Sequence, residues 1–353
     1  IEKGKEIHVF GIPPGGLIQP NKTIDFGNSG TGIRLMSGLI SSNNIKAKLI
    51  GDKSLSNRPM KRVTDHLSRI GAKIKMTKDT YPPIHLKGTG NAIPLNFNIT
   101  IPSAQIKSAI MLSALNTNGT VKIKEFKTTR DHTENMLKSM KYNIKVKESS
   151  MHRFIEMKNN KDLKTINYSV PGDPSSAAFL ISAACLKPGS RLIVRNMLFN
   201  KTRVGFIKTL KKMGGNIKLI SKRKIHNELI ADLIIEQKKN LNSTILEPVD
   251  IPLQVDEIPI LSIVASFANG LTIFKGLKEL TVKESDRLLL IYENLRKIGV
   301  KAEIKNYDLY IYGSCDLKKG SGYIKHNDDH RILMSFYISN IICKKNNVIK
   351  GKS

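Results

Sequence analysis

The sequence predicts an α/β fold of two domains, built from repeated βαβαββ-like units. Three observations carry this. Helical segments led by an arginine recur, and an alternating strand follows each. Helices rich in small residues recur between them, entered through a capping residue. The pair returns about every 70–80 residues, too long for a solenoid repeat and suited to a βαβαββ-like module. With 353 residues, 40% hydrophobic and 25% charged, the chain has globular composition and length for about two domains.

The elements follow in order. GIRLMSGLI reads as a small-residue helix behind the Gly-rich turn of GNSGTGIR, Gly27–Arg34. Arg58 leads a helix with apolar residues at Met60, Val63, Leu67 and Ile70, closed by Gly71 and followed by the strand AKIKM. SAQIKSAIMLSAL is the second small-residue helix, leaving through NGTVKI. Arg130 leads Thr133, Leu137 and Met140, with Lys141 where the glycine would stand, and YNIKVK follows. PSSAAFLISAACL leads through PGSRLIV to the helix of Phe206, Leu210 and Met213, which follows Arg203, closes at Gly214 and precedes NIKLI. DEIPILSIVASFA leads through NGLTIF to Leu288, Ile291, Leu295 and Ile298, closed by Gly299 and followed by VKAEI. HRILMSFYI is the last helix of the small-residue type.

Composition narrows the function. No apolar run reaches the ~18 residues of a membrane span, and no signal peptide opens the chain. Cys185, Cys315 and Cys343 show no C-x-x-C spacing, so neither a disulfide framework nor a zinc site is implied and a reducing cytosol fits. The formal net charge of +29 points to anionic partners. The lysines are spread along the whole chain, aromatics make up only 6% and Trp is absent, so small anions are preferred over nucleic acid.

The charges gather at loop-to-helix entrances. A Gly-rich turn such as GNSGTGIR lets backbone N–H groups approach an anion at a helix N-terminus, although a plain capped turn accounts for it equally. PGDPSSA, Pro171–Ala177, reads as a structural N-cap. Arg58, Arg130 and Arg287 oppose the helix dipole at their entrances, so stability does not explain them, whereas a fork for phosphate or carboxylate does. His330 and Arg331, in HNDDHR, mark another entrance. TVKESDRL, Thr281–Leu288, sets Lys283, Glu284, Asp286 and Arg287 between apolar runs, where a solvated helix start is the plain alternative.

GNSGTGIR, GDKSLSNRPM, PSAQIKSA, TRDHTENML, PGDPSSAAF, DEIPIL, VKESDRL and NDDHR occur in the order and spacing of 5-enolpyruvylshikimate-3-phosphate synthase, and the whole chain resembles that family. The resemblance implies the enolpyruvyl transferase fold, an inside-out α/β barrel of two domains. It puts one crossing near Val170–Pro174, with a first domain at 1–170 and a second at 171–353. It implies transfer of the enolpyruvyl group of phosphoenolpyruvate to the 5-hydroxyl of shikimate 3-phosphate, with release of phosphate, in the shikimate pathway of aromatic amino-acid biosynthesis. The enzyme would be a cytoplasmic monomer without cofactor, metal, nucleic-acid or membrane partner.

Residue by residue, the resemblance gives Ser103 and Gln105 to shikimate 3-phosphate, Arg130 to its phosphate, and Lys283 a place beside it. Gly30, Arg58, Arg287 and Arg331 would surround phosphoenolpyruvate. Asp256 would take the hydroxyl proton and Glu284 would handle the proton at the methylene carbon. TVKESDRL would be a strand-to-helix switch turning Lys283, Glu284 and Arg287 into an interdomain cleft, with Asp286 orienting or capping. Glyphosate occupies the phosphoenolpyruvate site in family members, and the insensitive branch carries Ala where Gly30 stands.

Three departures from the family pattern bear on this. The family's N-terminal segment, with a Lys-Ser pair and an Arg that bind both substrates, has no counterpart before Ile1. Its C-terminal helix has none after NNVIKGKS, and both pieces would belong largely to the second domain. The chain therefore reads as a processed form or a fragment, inactive as it stands in the second case. Ala104 replaces a second Ser found in some branches. The related transferase acting on UDP-N-acetylglucosamine uses a loop cysteine, whereas Cys185 falls inside a small-residue helix.

Overall fold

The computed structural model describes residues 2–343 apart from 4–5, 8–9, 127–128, 160–162 and 315–322. Cys315 and the strand read at NNVIKGKS lie outside the described residues. The chain divides into two units, Ile1–Asn167 and Tyr168–Ser353.

The first unit opens on a short pair, β1 (Glu2–Lys3) and β2 (Glu6–Ile7), and then runs the same βαβαββ unit twice. The first pass is β3 (Ile24–Asp25), α1 (Gly30–Ser41), β4 (Lys46–Ile50), α2 (Lys61–Arg69), β5 (Lys73–Thr77) and β6 (Tyr81–Lys87). The second is β7 (Asn96–Asn98), α3 (Ala104–Ala114), β8 (Thr120–Phe126), α4 (His132–Ser139), β9 (Ile144–Glu148) and β10 (His152–Lys158). Their sheet orders correspond, β3-β4-β6-β5 and β7-β8-β10-β9, with the first two strands parallel and the others antiparallel.

The second unit repeats the pattern. Here the first strand shrinks to one parallel bridge between Gly172 and Met197. It leads to α5 (Pro174–Leu186), β11 (Arg191–Leu198), α6 (Gly205–Lys212), β12 (Ile217–Ile225) and β13 (Glu228–Glu236). Next come β14 (Ile245–Leu246), α7 (Ile258–Phe267), β15 (Gly270–Phe274), α8 (Arg287–Lys297), β16 (Lys301–Lys305) and β17 (Asp308–Gly313), in sheet order β14-β15-β17-β16. A last helix, α9, spans His330–Cys343.

Small residues explain why the helices lie inside. In the first unit α1 and α3 pack so closely that a Cβ on Gly38 would fall 2.2 Å from the Ala109 carbonyl oxygen. In the second, α5, α7 and α9 pack on one another, and α7 is buried on every side from Ile258 to Ser266. The sheets cover the helices with one apolar face, as Ala47, Leu49, Ile84 and Leu86 do, and give the other face to water. That outer face carries the exposed Lys46, Lys48, Lys73, Lys75, Lys122, Lys145, Lys147, Lys218, Lys222, Lys301 and Lys305. Much of the excess charge is thus the solvated side of an inside-out α/β architecture.

One expectation is corrected. The chain reaches α8 from a 3-10 helix, Leu277–Val282, and not from a strand. β15 ends at Phe274, Gly276 takes a left-handed φ of 75°, and its N–H donates to Asp308 Oδ1 at 2.7 Å. The buried Leu277 and Leu280 then hold the short turn against the core.

Candidate active site

In the first unit the candidate residues collect at the N-terminal ends of α1 and α3 and in the turns leading to α2 and α4. Ser29 caps α1 by accepting from the Gly32 N–H at 3.0 Å. Gly27 turns with φ 50° and donates to Asp25. Arg58 reaches back to this turn, with Nη2 donating to Asn28 Oδ1 at 2.6 Å and to Ser54 Oγ at 3.1 Å. Gly30 sits beneath two guanidiniums, those of Arg58 and the buried Arg34. Arg34 donates from Nη1 to Gln105 Oε1 at 2.8 Å and from Nη2 to the Pro59 carbonyl at 3.1 Å. Gln105 in turn donates to Thr31 Oγ1 at 2.8 Å. Gly30, Arg58 and Gln105 therefore belong to one connected network, and Ser103, the cap of α3, stands two residues before Gln105.

Arg130 lies on the turn between β8 and α4. Its carbonyl accepts from Lys107 Nζ at 2.6 Å. That ammonium also meets Glu125 Oε1 at 2.7 Å and Glu134 Oε1 at 2.8 Å. Burial pushes the Glu134 carboxyl up, against the pull of Lys107.

In the second unit the candidates meet around Arg287, whose side chain is fully buried at the start of α8. Nε donates to Asp329 Oδ2 at 2.8 Å, Nη2 lies 2.5 Å from Glu284 Oε2, and Nη1 lies 3.4 Å from Asp256 Oδ1. Burial works against this charge, but Asp329, Glu284 and Asp256 together hold the guanidinium above its ordinary value. Burial would raise Asp329 likewise, yet Arg287, with Ser285 and the Arg331 N–H, keeps its carboxyl below the usual range. Arg331 Nη1 donates to the Asp256 carbonyl at 3.3 Å. Asp286 caps α8 by accepting from the Leu289 N–H at 3.0 Å.

Asp256, Glu284, Arg287 and Arg331 are thus one cluster. Lys283 stands apart from it and pairs with Glu279 at 2.6 Å, one turn back. Arg203, the arginine equivalent by repeat to Arg58 and Arg130, pairs with Asp173 at 2.7 Å and donates to Ser175 Oγ at 2.9 Å. Asp173 accepts from the Ser176 N–H at 2.9 Å, the N-cap read from PGDPSSA. Beside Asp256, the buried Glu257 is raised by burial and by its acidic neighbour. Cys185 lies buried in α5, its thiol pushed up to about 12 by burial, which gives it no nucleophilic character.

Sequence reasoning left Arg34, Lys107 and Asp329 unassigned, although each stands inside a quoted motif. Lys107 had a signal: it is the lone charge in the helix SAQIKSAIMLSAL.

Known proteins share this fold. The enolpyruvyl transferase NikO from Streptomyces tendae shares the fold with a TM-score of 0.65 at 15% identity, over 87% of this chain and 69% of that one. The fold is that of the enolpyruvyl transferases. The family model of EPSP synthase (3-phosphoshikimate 1-carboxyvinyltransferase) matches residues 1–352. The 3-phosphoshikimate 1-carboxyvinyltransferase of Zymomonas mobilis is 41% identical over 341 residues, 95% of this chain and 75% of that protein. That of Clostridium tetani is 40% identical over 316 residues, 90% of this chain and 70% of the relative. The EPSP synthase structure from Acinetobacter baumannii superposes with a TM-score of 0.79 at 34% identity, over 94% of this chain and 75% of that one. The chain belongs to the EPSP synthase family, transferases of the shikimate pathway. No helix among the described residues is long and apolar enough to cross a membrane.

Proposed function

We infer that the protein joins phosphoenolpyruvate to the 5-hydroxyl of shikimate 3-phosphate and releases phosphate, with Asp256 and Glu284 as the proton-transferring pair. The observation that carries the residue assignment is that both carboxylates converge on one buried guanidinium, Arg287. The chemistry asks for such a pair. The substituted carbon of phosphoenolpyruvate becomes electrophilic only when its methylene is protonated, which is the part given to Glu284. As the hydroxyl oxygen bonds to that carbon, its proton passes to Asp256. The product again carries a methylene, so the added proton leaves as phosphate departs. Nearby carboxylates favour the oxocarbenium-like transition state, and a fixed guanidinium between them limits their reorganisation.

The remaining roles are proposed on chemical grounds. Gly30, Arg58, Arg287 and Arg331 serve phosphoenolpyruvate, while Ser103, Gln105, Arg130 and Lys283 serve shikimate 3-phosphate. Arg34 links the two sets, since it fixes Gln105 from beside Gly30. Lys283 would exchange Glu279 for the substrate. Proton transfer and phosphate release call for no cofactor, and the reading takes a monomer working in the cytoplasm.

Replacing Glu284 by Gln tests the assignment. Substrate binding should persist, because Arg287 keeps Asp256 and Asp329, while turnover falls roughly 10²–10⁴-fold. Turnover close to that of the parent would remove Glu284 from the role of proton donor.

A further inference from the structure

We propose that Lys107 is a positioning residue: its buried ammonium fastens the turn carrying Arg130 to the start of α3, and thereby sets where the Arg130 guanidinium meets the phosphate of shikimate 3-phosphate. This rests on the reading of Arg130 as the phosphate ligand.

Lys107 stands in the first turns of a helix made of small and apolar residues, and it is completely buried. Its ammonium gathers acceptors from three places. Glu125 comes from the end of β8 and Glu134 from the first turn of α4. Thr129 Oγ1, at 3.1 Å, and the Arg130 carbonyl, at 2.6 Å, come from the turn itself. A second buried cation completes the clamp. Arg153 of β10 donates from Nη1 to the Thr129 carbonyl at 3.2 Å and to Glu125 Oε1 at 3.1 Å, and its Nε donates to Glu148 at 3.1 Å. Thr129 also donates to Glu125 Oε2. Ser108 and Thr133 join α3 to α4 once more at 2.7 Å. Two successive carbonyls of the turn, those of Thr129 and Arg130, are therefore each held by a buried cation.

Stability alone is a poor reason for this cluster. Taking four ionised groups out of water costs much of what their attraction returns, and apolar replacements of such clusters are often equally stable. Fixed geometry is what a dry, saturated ammonium supplies and an apolar side chain does not. Helix α3 also carries Ser103 as its cap and Gln105 in its first turn, so the clamp sets Arg130 against two of the other groups given to the same substrate. Lys107 acts through the backbone of Arg130, whose carbonyl accepts from its ammonium.

The test uses Lys107→Met combined with Glu134→Gln, which removes one charge of each sign and leaves Glu125 paired with Arg153. Arg130→Gln is measured beside it, and Lys107→Met alone serves as the unbalanced control. In the double variant the melting temperature should return close to the parent value. KM for shikimate 3-phosphate should stay raised at least about tenfold, with KM for phosphoenolpyruvate changed much less. A purely structural cluster would restore stability and KM together, so a folded double variant with the parent KM overturns the proposal. Loss of the folded state in the double variant overturns it as well. If Arg130→Gln leaves KM for shikimate 3-phosphate unchanged, the assignment of Arg130 has failed and the positioning role falls with it. If Arg130→Gln raises that KM and the double variant does not, only the positioning role falls.

Discussion

A Cβ at Gly30 would lie 3.1 Å from Arg58 Nη1 and 3.2 Å from Arg34 Nη1, so one methyl group presses on two guanidiniums at once. Arg58 is tied to Asn28 and Ser54 and Arg34 to Gln105 and Pro59, so neither moves without loosening a partner. Gly30→Ala should therefore narrow the site proposed for phosphoenolpyruvate. Glyphosate extends further than phosphoenolpyruvate and should lose more. A methyl group forced into a tight site costs about 1–3 kcal/mol, or roughly 10–200-fold in discrimination. The inhibition constant for glyphosate and KM for phosphoenolpyruvate, measured for both proteins, decide this. A parent already insensitive, or equal changes in both constants, would remove Gly30 from the site. At this scale the sequence was readable where a residue type defies its surroundings, as arginines do at helix starts. It was silent where two like residues adjoin. Asp328 is exposed and Asp329 wholly buried on Arg287, and only the backbone turn through Asn327 and Asp328, at φ 49° and 59°, separates them.

The arginine-led helices end alike. Gly71, Gly214 and Gly299 follow their helices with φ of 107°, 96° and 82°, and Lys141 holds the same place after α4 with φ 60°. A left-handed turn lets the last carbonyls find donors, and glycine enters it without a Cβ penalty. Lys141 takes the strained conformation with its N–H bonded to the Lys138 carbonyl at 3.1 Å. Lys141→Gly should thus stabilise the protein by about 0.5–1 kcal/mol, since a left-handed residue with a Cβ costs ~1–2 kcal/mol and glycine's extra chain entropy returns part of that. A raised thermal midpoint with unchanged activity is expected, and a lowered one would mean that the lysine side chain holds something of its own there. These helix ends, and the strands that follow them, were legible because apolar spacing and glycine punctuate each unit. The first strand of the third unit was not, since it survives as the single bridge at Gly172. Nor was the 3-10 approach to α8, because TVKESDRL carries no periodicity that distinguishes it from a strand end.

At the scale of the whole molecule, the charge of +29 has two locations with different physics. The arginines at helix starts lie in hydrogen-bonded networks, whereas the lysines of the outer sheet faces stand in water. Exposed charges act over a Debye length, about 30 Å at 0.01 M salt and about 10 Å at 0.1 M. The outer lysines should therefore raise the local concentration of anionic substrates at low salt and have little effect at high salt. KM for shikimate 3-phosphate should rise several-fold between ~0.01 and ~0.2 M salt, with turnover changing less. Replacing Lys122, Lys124, Lys145 and Lys147 by Gln, on the sheet face around Phe154, separates the two contributions. The fourfold variant should have a raised KM at low salt and the parent value at high salt, because its hydrogen-bonded arginines are intact. If the variant and the parent respond to salt identically, the outer lysines contribute no steering. The salt dependence would then belong to the arginines proposed for the site, whose contacts with phosphate and carboxylate would also weaken as counterions compete.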